Sequence, residues 1–235
     1  MSQDGWLALH TTDTPGAIAL ASNGEVRARP LDAAGKHAST LLGAIDALLT
    51  EMHTDIAALQ GIVLTCGPGS FTGIRIGIAT AQGLSQAIGA TVCGCDSLWA
   101  EAAAQSEPGW VAVVLDARRG EVYAGLYRVG DGAPEEVVAP FVDAPDAAAR
   151  RLLGGVDPET PLRLTGSGAA LLQLDGDSAQ RVQQIESVPR PDVARALTAA
   201  AKAGLLVRLA PRDIKPLYLR KSDAELNREA RLGTR

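Results

Sequence analysis

The residues best suited to chemistry lie in "TCGPGSFTGIRIG", Thr65 to Gly77. Gly67 and Gly69 permit backbone angles closed to other residues, and Ser70 or Thr72 can cap a following helix. Free N–H groups at such a helix start would cradle an anion. No Gly-Lys-Ser/Thr follows, so this is not a P-loop, and Thr72 stands where the third glycine of a dinucleotide fingerprint belongs. A capped turn with no ligand uses the same residues, and spacing alone leaves the two readings open.

Other polar groups offer less. His10 sits late in the first strand, His37 at the start of the first helix and His53 at its end. They form no H-x-x-x-H or H-E-x-x-H, so no histidine metal site is expected. The helix dipole accounts for His53, and His37 reads as a first-turn residue rather than a base. Ser70 has no G-x-S-x-G around it, and no Ser-His-Asp triad can be assembled. Cys93 and Cys95 form a C-x-C without a second pair, and with Cys66 they read as buried strand thiols. An odd cysteine count, and a start "MSQDGWLALHTTDT" unlike a secretory leader, point to a reducing, cytoplasmic setting. The turn in "DARRGEVY", Asp116–Tyr123, has charge enough for a site, but arginines in solvent are the simpler reading.

The net charge of −5, with no basic block before the C-terminal end, argues against nucleic acid gripped by this chain alone. No run of about 18 uncharged apolar residues is present, so no membrane span is expected. Lys215, Arg220, Lys221, Arg228, Arg231 and Arg235 alternate with acids in a tail that reads as a solvated terminus.

These groups must be positioned by a chain of 235 residues, 46% hydrophobic, 3% aromatic and 21% charged, an ordinary globular composition. Three strands, "GWLALHTT", "PGAIALAS" and "GEVRARPL", precede a helix whose apolar positions Leu41, Leu42, Ile45, Leu48, Leu49 and Met52 have helical spacing. "ALQGIVLTCG" is a buried strand, a second helix runs from Thr72 to Ile88, and "TVCGCDSL" is the next strand. A second unit follows. It has two strands around an Arg-Arg-Gly turn, a strand "EEVVAPFVDA" and a helix "DAAARRLLGG". A strand, glycine turn and helix in "PLRLTGSGAALLQL" and a helix "DVARALTAAAKAGLL" complete it. Two α/β halves with a cleft between them are expected, 1–104 and 105–204, divided near Ala102–Gly109, with 205–235 packing back on the first.

The second helix carries two small-residue stripes, Gly73-Gly77-Ala81 and Ala79-Gly83, beside Ile74, Ile76, Ile78 and Leu84. Each helical glycine costs about 0.5–1 kcal/mol relative to alanine, so another backbone must lie close. Packing within the sheet layer is one reading. A partner interface is the other, because both helices are apolar over a wide arc.

"GPGSFTGIRIG", then "AQGLSQAIGATVCGCDSL", "DARRGEVYAGLY" and "PLYLR", resemble the TsaB (YeaZ) family over nearly the whole chain. That family is the bacterial subunit of the machinery that makes N6-threonylcarbamoyladenosine (t6A) at position 37 of ANN-decoding tRNAs, and an inactive paralogue of TsaD. The resemblance implies an α/β fold of two actin/Hsp70-like lobes (ASKHA, ribonuclease H-like), each a mixed sheet with helices. It implies a non-catalytic cytoplasmic scaffold that docks on and activates TsaD, with no catalytic residue, cofactor or metal of its own. Leu41, Ile45, Leu48, Gly73, Ile74, Gly77, Ile78, Ala81 and Leu84 would form the docking surface. Thr11, Thr12, Gly67, Gly69, Ser70 and Thr72 would be a vestigial phosphate or nucleotide loop. In the family scheme TsaC supplies threonylcarbamoyl-adenylate and TsaE uses ATP to reset the complex. ATP or ADP would sit, if anywhere, at the interface of that assembly, and tRNA would be met through it. The same surface could pair with a second copy. The resemblance also implies that Ser97 and Glu101 stand where TsaD has its metal-binding histidine pair, and that His10 stands where relatives end the first strand in Asp. The rival readings are an actin-like ATPase or phosphotransferase acting alone and a metalloprotease, the latter disfavoured by the missing histidine pair.

Overall fold

The structure, a computed structural model, describes residues 5–31 and 37–220. Strands β1 (Gly5–His10) and β2 (Ala17–Ser22) form a hairpin, and β3 (Glu25–Pro30) extends it as a charged edge. Helix α1 (His37–Glu51) crosses to β4 (Leu59–Thr65), α2 (Phe71–Ile88) and β5 (Thr91–Cys95). Strands β4 and β5 lie parallel to β1, as strand–helix–strand crossovers require.

β1 and β2 are buried along their whole length, because the sheet is covered on both faces. Alternation along β1 separates two cores. Leu7 and Leu9 point toward α1 and α2, while Trp6 and Ala8 point the other way. Gly61 faces the Trp6 indole, where an added Cβ would stand 2.4 Å from the ring.

Helix α3 (Ser97–Ala103) leads to the second sheet: β6 (Gly109–Arg118), β7 (Glu121–Val129), β8 (Glu135–Asp143), α4 (Pro145–Gly154) and β9 (Leu162–Thr165). Then come α5 (Gly176–Arg181), β10 (Val182–Gln184), α6 (Arg190–Lys202) and β11 (Arg208–Leu209). The sheet orders are β11-β5-β4-β1-β2-β3 and β10-β9-β6-β7-β8.

Three expectations change. The range 105–204 includes α6, whose Val193, Ala194, Leu197 and Ala201 pack on Trp6, Ala8, Ala19 and Val63 of the first sheet. That sheet face needs a cover, and chain order does not say which helix supplies it. The helix expected after the glycine turn in "TGSGAALLQL" is a single 3-10 turn, Ala169–Leu171, because Leu172 and Leu174 leave it to pack on the second core. The strand "TVCGCDSL" stops at Cys95, where the Asp96 carboxylate accepts the Trp99 N–H at 2.7 Å and starts α3. Leu98 and Ala102 of α3 then pack under the second sheet while Ala100 packs against the α6 side of the first.

From β11 the chain returns to the first sheet, pairing antiparallel with β5, and Ile214 enters the first core. Lys221, Arg228, Arg231 and Arg235 lie outside the described residues.

Candidate functional site

The loop after β4 is closed by the chain's own groups. Gly67 (φ +110°) and Gly69 (φ +149°) hold angles that favour glycine, and added Cβ atoms would meet Leu217 O at 2.5 Å and Thr12 O at 2.2 Å. Ser70 N–H donates to Thr12 O at 2.7 Å, and Ser70 Oγ caps α2 by accepting from Gly73 N–H at 3.2 Å. Thr11 Oγ1 donates to Gly73 O at 2.8 Å. Ser97 Oγ donates to Thr12 Oγ1 at 2.8 Å, and Thr12 Oγ1 shares a hydrogen bond with Thr65 Oγ1 at 3.0 Å. Thr11 and Thr12 are both buried, so the hydroxyls expected to greet a phosphate face other side chains and backbone instead. Thr72 is exposed on the first turn of α2.

Beyond this knot a cleft of about 620 Å³ opens between the sheets. Thr12, Asp13 and Ser70 line one wall, Asp116, Arg118 and Ser167 the other, and Tyr218 and Arg220 cross between them. Phe71 and Tyr218 stack with centroids 4.4 Å apart, the Arg75 guanidinium lies 4.1 Å from the Phe71 centroid, and Arg75 Nε donates to Tyr218 Oη at 3.1 Å. Leu217 N–H donates to Cys66 O and Arg220 to Ala117 O, so residues 217–220 strap the two sheets together. The "DARRGEVY" turn thus forms a cleft wall, with Arg118 and Arg119 at φ +65° and +57°. Sequence reading took in Tyr218 only as part of "PLYLR" and gave it no role; its partner Phe71 lies 147 positions back in "GSFTG", a pairing no local pattern encodes.

The first-strand histidine is buried. His10 Nδ1 lies 3.2 Å from Thr65 Oγ1, and burial, with Arg190 nearby, lowers its pKa to about 3. Glu101 is also buried and is ion-paired with Arg190, whose other nitrogen lies 2.6 Å from Asp13 Oδ2. The metal implied by TsaD's histidine pair does not fit this arrangement, because Ser97 is engaged by Thr12 and Glu101 by Arg190. Arg190, in "VPRPD", carries no motif and was missed by sequence reading. Asp96 was missed as well. Burial raises its carboxyl to about 6, while it accepts Tyr127 Oη–H from the second sheet at 3.1 Å. The three thiols are free, and burial pushes Cys66 up to about 11 and raises Cys93 and Cys95 too.

The expected docking residues divide differently. Leu41, Ile45, Leu48, Gly73, Ile74, Gly77, Ile78 and Ala81 are buried in the chain's own first lobe. Gly73 and Gly77 are small because Thr11 lies against them, with added Cβ atoms 1.9 Å from Thr11 O and 2.3 Å from Thr11 Oγ1. Leu84 remains half-buried at the rim of a groove of about 520 Å³ shared with Leu42, Leu49, His53 and Ile56. The open stripe is Ala79–Gly83, beside Leu42 at 55% exposure, and a Cβ at Gly43 or Gly83 would meet nothing of the described residues within 4 Å. The composition of the helices marked them as apolar on two sides, but only packing sets which side faces inward. The side chain of His37 lies outside the described residues. No helix among the described residues is long and apolar enough to cross a membrane.

Comparison with known proteins matches residues 24–225 to the family model "TsaD: tRNA N6-adenosine threonylcarbamoyltransferase". The tRNA threonylcarbamoyladenosine biosynthesis protein TsaB of Bacillus subtilis is 34% identical over 56% of this chain and 58% of its own length. The chain thus spans a little over half of that relative. An uncharacterized Mycobacterium tuberculosis (H37Rv) protein is 34% identical over 80% of this chain and 77% of its own. The solved structure of YeaZ from Pseudomonas aeruginosa superposes with a TM-score of 0.74 at 25% identity, covering 93% of this chain and 100% of that one. The two sheets, the cleft between them and the strap across it form the two-lobed actin/Hsp70-like fold. Matched along most of its length by sequence and by shape, the chain belongs to the tRNA N6-adenosine threonylcarbamoyltransferase (TsaD) family, in its TsaB (YeaZ) branch.

Proposed function

We propose that this chain is a non-catalytic scaffold subunit for threonylcarbamoyl transfer to A37 of ANN-decoding tRNAs, docking on TsaD and keeping it competent. One observation carries the reading. The groups at the places where the fold does phosphate or metal chemistry are bonded to one another, whereas the α1–α2 face is left open and apolar. A groove rimmed by Leu42, Leu49, Ile56 and Leu84, beside glycines that admit a second backbone, suits helix-on-helix docking. TsaD is the natural occupant, since the TsaB name of the relatives places them in the same biosynthesis. TsaE and tRNA would then be met in the assembled complex, in the cytoplasm, and a second copy would use the same face when TsaD is absent.

The test is reconstitution. TsaC, TsaD and TsaE, with ATP, threonine, bicarbonate and unmodified tRNA, are assayed for t6A by mass spectrometry with and without this chain. Modification only in its presence supports the scaffold role; equal yield without it overturns that role. The cleft supports a second reading, a nucleotide-binding enzyme acting alone. Titration of the lone chain with ATP and Mg²⁺ separates the two, because only the second requires binding without partners.

A further inference from the structure

Four groups from four parts of the chain meet beneath the cleft. His10 ends β1, Asp13 lies in the β1–β2 turn, Glu101 is on α3 and Arg190 opens α6. Ligand atoms of His10, Asp13 and Glu101 all lie within 4.8 Å of one another, a spacing that suits one metal ion. Arg190 lies among them, contacting Asp13 Oδ2 at 2.6 Å and Glu101 Oε1. His10 and Glu101 are each 1% exposed, and His10 Nε2 and Glu101 Oε2 have no hydrogen-bond partner among the described residues.

A buried carboxylate is tolerated only when its charge is met. Glu101 on α3 needs a cation, and among the described residues Arg190 supplies it from α6, held by its apolar stripe on the first sheet. A guanidinium contacts carboxylates through flat, directed N–H groups and cannot also satisfy every lone pair of a three-donor set. The two orphaned atoms, one imidazole nitrogen and one carboxylate oxygen, are what such a set retains when its cation is an arginine.

We infer that the Arg190 guanidinium is a resident cation in a His10–Asp13–Glu101 site that would otherwise take a divalent ion of the zinc or cobalt class, and that it frees the junction of β1, α3 and α6 from any need for metal. One imidazole with two carboxylates favours such borderline ions over Mg²⁺, which prefers oxygen and water. Removing the guanidinium leaves an uncompensated pair of acids and a three-donor site open to a metal.

The full chain and its Arg190→Ala variant are melted at neutral pH with and without Co²⁺, Zn²⁺ or Mg²⁺, and Co²⁺ is followed by visible absorption. The native chain's melting temperature is unmoved by metal. Arg190→Ala melts lower, and saturating Co²⁺ or Zn²⁺ raises its melting temperature by about 5 °C or more, with a Co²⁺ band absent from the native chain. Arg190→Lys keeps the charge and stays indifferent to metal. Stoichiometric metal on the native chain overturns the inference, as does a folded Arg190→Ala that takes no metal. If Arg190→Ala folds only with Co²⁺, the inference holds; if it folds under neither condition while Arg190→Lys folds, the metal does not replace the guanidinium and the inference fails. Adding His10→Asn to Arg190→Ala abolishes the Co²⁺ band, and a band that survives places the ion elsewhere and overturns the site.

Discussion

Leu42 and Gly77 separate docking from folding on the same pair of helices. Leu42 is 55% exposed on α1, whereas Gly77 is buried on α2 with Thr11 Oγ1 2.3 Å from where a Cβ would stand. Replacing Leu42 by Ala removes little from the lone chain, within about 0.5 kcal/mol, because the side chain already faces water. On docking, the exposed half of a leucine would leave water; full burial is worth about 1.5–3 kcal/mol, so the half is worth about 0.8–1.5 kcal/mol, or roughly 4- to 13-fold in Kd. Gly83→Arg, placed where no described residue lies within 4 Å, leaves the lone chain folded and blocks the approach of a second helix. Gly77→Leu, by contrast, drives a side chain into the Thr11 turn, so any lost binding would report a damaged fold. Calorimetric titration with TsaD, beside thermal melts of each lone variant, reads both quantities. Unchanged affinity in both Leu42→Ala and Gly83→Arg, with melts unchanged, would refute the assignment of this face to docking.

Three further outcomes are expected. Gly73→Ala, which places a Cβ 1.9 Å from Thr11 O, lowers stability by about 2 kcal/mol or more in chemical denaturation, whereas Gly83→Ala raises it by a few tenths to about 1 kcal/mol. Acid acts through two buried groups of opposite sign. His10, lowered to about 3, gives stability that is full above its ordinary value of 6.5 and lost as pH falls toward 3. Asp96, raised from 3.8 to about 6, gains stability for the fold as pH falls through 6 toward 3.8. Between pH 7 and 5 the two offset, so Asp96→Asn steepens the acid loss by about 1 kcal/mol, read from denaturation midpoints at both pH values. Tyr218→Ala removes the ring stacked on Phe71 and the acceptor for Arg75, and limited proteolysis cuts residues 211–220 several-fold faster than in the native chain.

Local chemistry in the sequence determined a good deal. Gly67, Gly69 and Ser70 mark the strand-to-helix turn, because positive φ and an N-cap are demands that few residue types meet. The two-sided apolar strands "GWLALH" and "AIALAS" require cover on both faces, and the apolar spacing of α1 and α2 supplies one cover. The other cover, α6, comes from almost the end of the chain, and pattern does not reveal it because a helix stripe records that a face is buried, not against what. The same limit hid which small-residue stripe of α2 points inward. Gly73 and Gly77 lie under Thr11, while Gly83 is open, although all three are helical glycines. The four-residue cluster of His10, Asp13, Glu101 and Arg190 was hidden for the plainest reason. Its members are up to 180 positions apart, and only the packing of α3 and α6 against β1 brings their charges within bonding distance.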